Sequence, residues 1–259
     1  ENVAAAFREQ RGDRGDEGGS ADRSANTPRR RFANFASFVA GAPNRLARAA
    51  AEMVVERPGA FSPLVIHGPT SVGKTHLLEA IWTAARQRRP AATVMYLTAE
   101  QFTTAFLQAL RGSGLPNFRQ RYRGVDLLLV DDLQFFCGKR HTQIELLYTI
   151  DTLLRAGRQM VFAADRPPEE LADLGRDLST RLQAGMVCRI EPADYETRLG
   201  IVGQMARRMN LNLPEDVARF IAARLTNHAR ELSGALCRLQ AASQAEGRPI
   251  DLAIAEETL

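Results

Sequence analysis

Between residues 60 and 190 the apolar positions follow two alternating rhythms. Short, nearly unbroken apolar runs occur at Leu64-Val65-Ile66, Thr93-Val94-Met95-Tyr96-Leu97, Asp126-Leu127-Leu128-Leu129-Val130, Gln159-Met160-Val161-Phe162-Ala163 and residues 186–190. Runs of this length predict strands covered on both faces. Between them apolar residues recur every three or four positions, which predicts helices over residues 74–89, 100–110 and 141–155, with shorter ones over 118–122, after Pro167-Pro168 and over 178–183. In the second of these, Phe102, Phe106 and Leu110 mark the face expected to be buried, and Gly112, Gly114 and Pro116 are expected to break it. Strands alternating with helices predict an α/β fold with a doubly wound parallel sheet. A helix over 45–55, with Asn44 as its N-cap, precedes the first strand, and Phe35, Phe38 and Val39 ahead of it look like an anchoring segment. From Tyr195 onward the strand rhythm stops. Helices over 195–209, 214–224 and 229–245, the last capped by Asn227, and a further one from near Asp251 predict an all-helical unit. The expected organisation is a disordered linker over 1–31, an α/β domain over 32–192 and a small helical lid over 193–259.

Composition changes this picture little. The chain has 259 residues and is 45% hydrophobic, enough for a sizeable core. No apolar run approaches the ~18 residues that cross a membrane, and the polar N-terminus is unlike a signal peptide, so a cytoplasmic protein is expected. Cys137, Cys188 and Cys237 fit no zinc spacing and are expected to be reduced thiols. Net charge is +4, which permits a polyanionic partner without requiring one. Residues 1–31 are rich in Arg, Gly, Asp, Glu and Ser, and the Arg29-Arg30-Arg31 run reads as solvated charge. Positive charge is carried almost wholly by arginine; Lys74 and Lys139 are the only lysines.

The chemistry begins at residues 68–75. Gly68-Pro69-Thr70-Ser71-Val72-Gly73-Lys74-Thr75 is a complete phosphate-binding loop between a predicted strand and a predicted helix N-terminus. There, free backbone N–H groups and the helix dipole favour anions. Lys74 is placed to reach the β- and γ-phosphates of ATP or ADP, and the Thr75 hydroxyl to bind Mg²⁺. About 55 residues on, the buried strand ending at Val130 delivers Asp131 and Asp132 to the edge where open α/β sheets bind ligands. Asp131 is expected to hold Mg²⁺ and Asp132 to orient the attacking water. Hydrolases of this design more often carry Glu at the second position. The shorter Asp132 is expected to make hydrolysis slow, below about one per second against a typical enzyme median near 10 s⁻¹, so that ATP works as a switch.

Several blocks together resemble the AAA+ ATPase region of the bacterial replication initiator DnaA family, over about residues 32–259. They are Phe35-Ala36-Ser37-Phe38-Val39 with Asn44-Arg45-Leu46-Ala47; Gly73-Lys74-Thr75-His76-Leu77-Leu78; Leu128 to Phe136, containing Asp131-Asp132-Leu133-Gln134-Phe135-Phe136; Ala164-Asp165-Arg166-Pro167; Thr180-Arg181-Leu182; Glu196-Thr197-Arg198; and Arg230-Glu231-Leu232-Ser233-Gly234-Ala235-Leu236. The resemblance implies that Asn44 and His76 join the loop in nucleotide binding. It implies that Asp165 is the sensor-1 acid beside the γ-phosphate, Arg230 the sensor-2 arginine acting in cis, and Arg181 an arginine finger reaching ATP on a neighbouring subunit. Residues 100–123 resemble the initiator-specific helices of a filament, with single-stranded origin DNA held by Leu107 and by Lys139-Arg140-His141. The implied activity is ATP-dependent head-to-tail self-assembly and duplex opening. Duplex origin DNA would be read only by a C-terminal domain missing here, and a replicative helicase is an implied partner.

Departures from the family pattern are His141 where Arg is usual, Ala163-Ala164 in place of hydroxyl residues, Asp177 at a position often held by a second arginine, and Ser233 for Glu. The first residue, Glu1, and the end at Leu259 are expected to reflect a piece of a longer protein. Two other readings stay open at this point: a DnaC-type helicase loader, which shares the Gly-Lys-Thr-His-Leu start, and a DnaA-like regulator without a duplex-binding domain.

Overall fold

The computed structural model describes residues 32–259. The expected linker over 1–31, with its Arg29-Arg30-Arg31 run, lies outside the described residues. Strands β1 (Leu64–His67), β2 (Val94–Thr98), β3 (Leu127–Asp131), β4 (Gln159–Ala164) and β5 (Met186–Arg189) form one parallel sheet in the order β2-β3-β4-β1-β5. Every residue of β3 and β4 is buried. Period-two alternation sends neighbours to opposite faces. Leu128 and Val130 join one core with Phe102, Phe106, Phe118, Tyr122 and Phe136, whereas Leu127 and Leu129 join the other with Ala51, Val54, Leu77 and Ile81. A sheet covered on both faces explains why these strands read as continuous apolar runs.

Helices α1 (Arg45–Glu56) and α2 (Lys74–Arg88) cover one face. Helices α3 (Ala99–Arg111), α4 (Leu115–Arg123), α5 (Arg140–Arg155) and α6 (Arg176–Gln183) cover the other. Beyond them, α7 (Tyr195–Arg208), α8 (Glu215–Arg224), α9 (Ala229–Glu246) and α10 (Leu252–Thr258) share a separate cluster built on Val202, Val217, Ile221, Leu236, Leu239 and Ile254. Residues Ala33–Leu259 form one compact unit.

Four local expectations are corrected. Helix α4 starts at Leu115 and not at 118, because Pro116 falls in its first turn, where a missing N–H costs nothing. Leu110 is half exposed: the last turn of α3 carries it out of the core that holds Phe102 and Phe106. Asn44 occupies the cap position of α1 without capping it. Its side chain accepts from Gly41 N–H at 3.0 Å and donates to Val39 O at 2.9 Å, closing the preceding turn. Asn227 does not cap α9. His228 does, its Nδ1 accepting from Glu231 N–H at 3.1 Å, while Asn227 reaches the Glu231 carboxylate.

Candidate functional site

The parallel sheet brings the ends of β1, β3 and β4 side by side, and with them the loop, Asp131 and Asp165. Gly73 takes a left-handed conformation (φ 105°) to turn the loop into α2. Gly68 is required by a close approach: a Cβ there would meet Ile190 O at 2.2 Å. Lys74, 8% exposed, donates to Gly68 O (2.7 Å) and Pro69 O (2.6 Å), so its own loop carbonyls occupy the ammonium. Burial lowers its pKa, opposed by Asp131, Asp132 and Asp165 and reinforced by Arg230. Those four side chains therefore share its electrostatic environment.

Asp131, 2% exposed, takes three hydrogen bonds. Thr75 Oγ1 donates at 2.7 Å and Tyr96 OH at 3.1 Å to Oδ2, and Asp132 N–H donates at 2.9 Å to Oδ1. Burial raises its pKa; the Thr75 hydrogen bond lowers it, Asp132 raises it further, and the bonds from Tyr96 and Asp132 N–H lower it. Asp132 is held in the left-handed region (φ 59°). At the end of β4, Asp165 pairs with Arg166 through Oδ2, while its Oδ1 is buried with no partner. Among the described residues no group of three or more His, Cys, Asp or Glu is arranged to hold a metal alone. Mg²⁺ at a nucleotide needs less, since one or two protein oxygens, water and phosphate complete its octahedron. The touching Thr75 and Asp131 oxygens fit that requirement.

A cleft opens beside the loop. Asn44, Ser71, Val72, Gly73 and His76 line it from the α/β side, together with Ser37, Phe38 and Val39. Ile201, Met205 and Leu232 line it from the helical side, with Asn227 and His228. Apolar walls with a few polar groups suit a flat base. His76 packs edge-on against Phe38 at 5.5 Å and hydrogen-bonds Ser37 Oγ at 2.9 Å. The Phe35-Ala36-Ser37-Phe38-Val39 block stood out in the sequence, yet only the fold joins its last three residues to the helical unit.

Not every expected residue converges. Arg230 stands exposed in the first turn of α9, close enough to influence Lys74. Arg181 is exposed on α6 and pairs with Asp151 on α5 at 2.7 Å, not with any member of the Lys74–Asp131–Asp165 group. Lys139, Arg140 and His141 are exposed where α5 begins, and Leu107 is 40% exposed on α3 beside Leu110. Helices α4 and α5 are tied by Glu145, 4% exposed, which accepts from Arg119 (2.9 and 3.1 Å) and Arg123 (2.5 Å). Tyr96, Gln134 and Glu145 had no assigned role in the sequence.

A five-stranded parallel sheet with a phosphate loop after β1, acids ending β3 and β4, and a helical unit across the cleft defines an AAA+ P-loop ATPase fold. The family model for the bacterial DnaA ATPase domain matches residues 29–189. Chromosomal replication initiator protein DnaA of Thermomicrobium roseum is 43% identical over 226 residues, covering 87% of this chain and 49% of that protein. The crystal structure of domain III of the Thermotoga maritima replication initiation protein DnaA superposes with a TM-score of 0.84 at 38% identity, covering 87% of this chain and 95% of that one. A replication initiator DnaA bound to AMPPCP and single-stranded DNA gives a TM-score of 0.75 at 30% identity, with 83% and 67% covered. The chain belongs to the bacterial DnaA family, through its ATPase domain. It spans about half the length of the curated relatives it matches.

Proposed function

We propose that this chain is the ATP-switched module of a chromosomal replication initiator. It binds ATP or ADP, assembles head to tail in the ATP state and holds single-stranded origin DNA to promote duplex opening. Slow hydrolysis resets it. In this reading residues 32–192 form the nucleotide-binding domain and 193–259 the lid, the separate apolar cluster of the helical unit supporting that division. The observation that carries the proposal is the Lys74–Thr75–Asp131–Asp165 group, with Lys74 and Asp131 buried, in a chain whose Lys139, Arg140 and His141 stand exposed. Thr75 and Asp131 would hold Mg²⁺, which when bound neutralises charge on the β- and γ-phosphate oxygens.

Nucleotide binding would exchange the Lys74 contacts to Gly68 O and Pro69 O for phosphate oxygens. Asp132 would orient the attacking water, and Arg230 would close on the γ-phosphate from the helical side. Arg181 would serve a neighbouring subunit. Lys139, Arg140 and His141 would neutralise DNA phosphates, with Leu107 against sugar or base. The full protein would be cytoplasmic, with duplex origin DNA and replicative helicase among its partners; no described helix is long and apolar enough to cross a membrane.

Fluorescence anisotropy of a labelled oligothymidylate tests this. AMPPCP is expected to raise affinity at least about tenfold over ADP, equivalent to ~1.4 kcal/mol, and the AMPPCP-dependent part should weaken steeply with salt. Equal affinity with both nucleotides overturns the proposal.

A further inference from the structure

We propose that Gln134 is a positioning residue that straps Asp132 to the Asp165 strand end, so that its carboxamide sets the geometry of the water-activating acid. The inference rests on the roles given above to Asp132 and Asp165. Gln134 lies in the short 3₁₀ turn Leu133–Phe136 that follows Asp132. Its Nε2 donates to Asp132 Oδ1 at 3.0 Å, and its Oε1 accepts from Asp165 N–H at 3.3 Å.

Both partners dictate the residue. An ionised carboxylate only accepts and a backbone N–H only donates, so the bridging group must donate at one end and accept at the other. A carboxamide does both, and at glutamine length it spans the two. The same logic fixes which end is nitrogen, so the amide cannot be flipped without placing two donors face to face. Leucine would satisfy neither partner, and glutamate would set a carboxylate against Asp132.

The strap sits where the sheet stops. Strands β3 and β4 are paired from Leu127↔Gln159 to Val130↔Phe162. Beyond that last pair the Gln134 side chain supplies the next link between the strand ends. The turn carrying it is anchored by Leu133 and Phe136, both fully buried. Asp132 itself is in a left-handed conformation, so its carboxylate is not placed by regular strand geometry. Asp165 has one buried oxygen without a donor, and its peptide is the one that Gln134 holds. A single side chain therefore ties the Asp132 carboxylate to the Asp165 backbone.

A purely structural glutamine would stabilise the turn and nothing more. A positioning glutamine changes turnover and leaves nucleotide affinity alone, because Lys74, Thr75 and the cleft make the binding contacts. The test compares the parent chain with Q134L, Q134E and D132N, measuring Kd for a fluorescent ATP analogue and the single-turnover rate of ATP hydrolysis. Kd is expected to stay within about twofold in both Gln134 variants, and the hydrolysis rate to fall roughly ten- to hundredfold, the range for a displaced catalytic group. Q134E keeps the acceptor for Asp165 N–H, loses the donor to Asp132 and sets a second carboxylate against it, so it should fall at least as far as Q134L. A parental hydrolysis rate in Q134E, or a loss of Kd equal to the loss of rate, overturns the inference. Should Q134L fail to fold, Q134E, which has the parent's shape, decides alone. A parental rate in D132N overturns the underlying assignment of Asp132 instead, so the two failures are distinguishable.

Discussion

His76 lies in the first turn of α2, and its neighbours determine its proton. Ser37 Oγ already donates to Asn34 O (2.8 Å) and accepts from Asn34 N–H (3.1 Å), so its remaining lone pair must take a hydrogen bond from His76 Nε2–H. Burial lowers the pKa from the ordinary 6.5, and Arg208 lowers it further. The neutral ring is thus the folded form at neutral pH. The unfolded chain takes up its proton first as pH falls, so this contribution to stability is complete above pH 6.5 and is lost as pH drops below it. Thermal melts between pH 7.5 and 5 are expected to show a steeper acid loss in the parent than in H76Q; identical slopes would mean that His76 is already protonated or exposed. The histidine was visible in the sequence as part of Gly-Lys-Thr-His. Its partners were not, since Asn34 and Ser37 are brought to it only by the fold. Gly68 teaches the same lesson. Its place in the loop was legible, but what forbids a side chain is the Ile190 carbonyl, more than a hundred residues away in sequence.

At the level of elements, strands and long helices were legible because burial on both sheet faces leaves an unbroken apolar run, and a helix on one face leaves a three-to-four rhythm. Polar ties between elements leave no such rhythm. Glu145 looked like any acid on a helix, yet it is buried and holds Arg119 and Arg123 of α4 against α5. This bond joins the helix pair carrying Leu107 to the helix that starts with Lys139-Arg140-His141. Aromatic packing supports it: Phe102 meets Phe118 at 5.3 Å and Phe136 at 5.7 Å, edge to face. Removing one partner of a buried ion pair leaves an uncompensated charge. In E145A the two arginines left behind keep access to water, Arg119 more than Arg123, so the loss of stability is expected to fall below the range for a fully buried pair. Differential scanning calorimetry should show Tm lowered by roughly a few degrees. Affinity for AMPPCP should stay near parental, as the cleft lies across the sheet, while affinity for oligothymidylate should fall. A Tm unchanged within a degree would show that the pair contributes nothing.

For the whole molecule, the arginines divide into Arg230, which approaches the site of its own chain, and Arg181, which the proposed assembly gives to a neighbour. Lys74, Thr75, Asp131, Asp132 and Asp165 converge within the chain, and Arg230 approaches from the helical side. Arg181 does not join them: it is half exposed and held by Asp151 through Nε at 2.7 Å. A surface ion pair of this kind is worth about 0–1 kcal/mol, so it is easily rearranged. That contact leaves the terminal guanidinium nitrogens available to spread charge over phosphate oxygens presented by a second copy. In the proposed assembly, a surface that donates Arg181 and a different surface that presents the nucleotide would make a heterologous contact, and repetition of such contacts gives an open helical array unless the rotation closes. R181A should bind AMPPCP within about twofold of the parent, because the residue touches nothing in its own site, and should lose AMPPCP-dependent assembly. Sedimentation velocity with AMPPCP and with ADP checks both parts of the claim. The parent is expected to form larger species only with AMPPCP, and R181A with neither. Retained assembly in R181A would mean that the subunits meet through another face, and a large loss of nucleotide affinity would place Arg181 in its own chain's site.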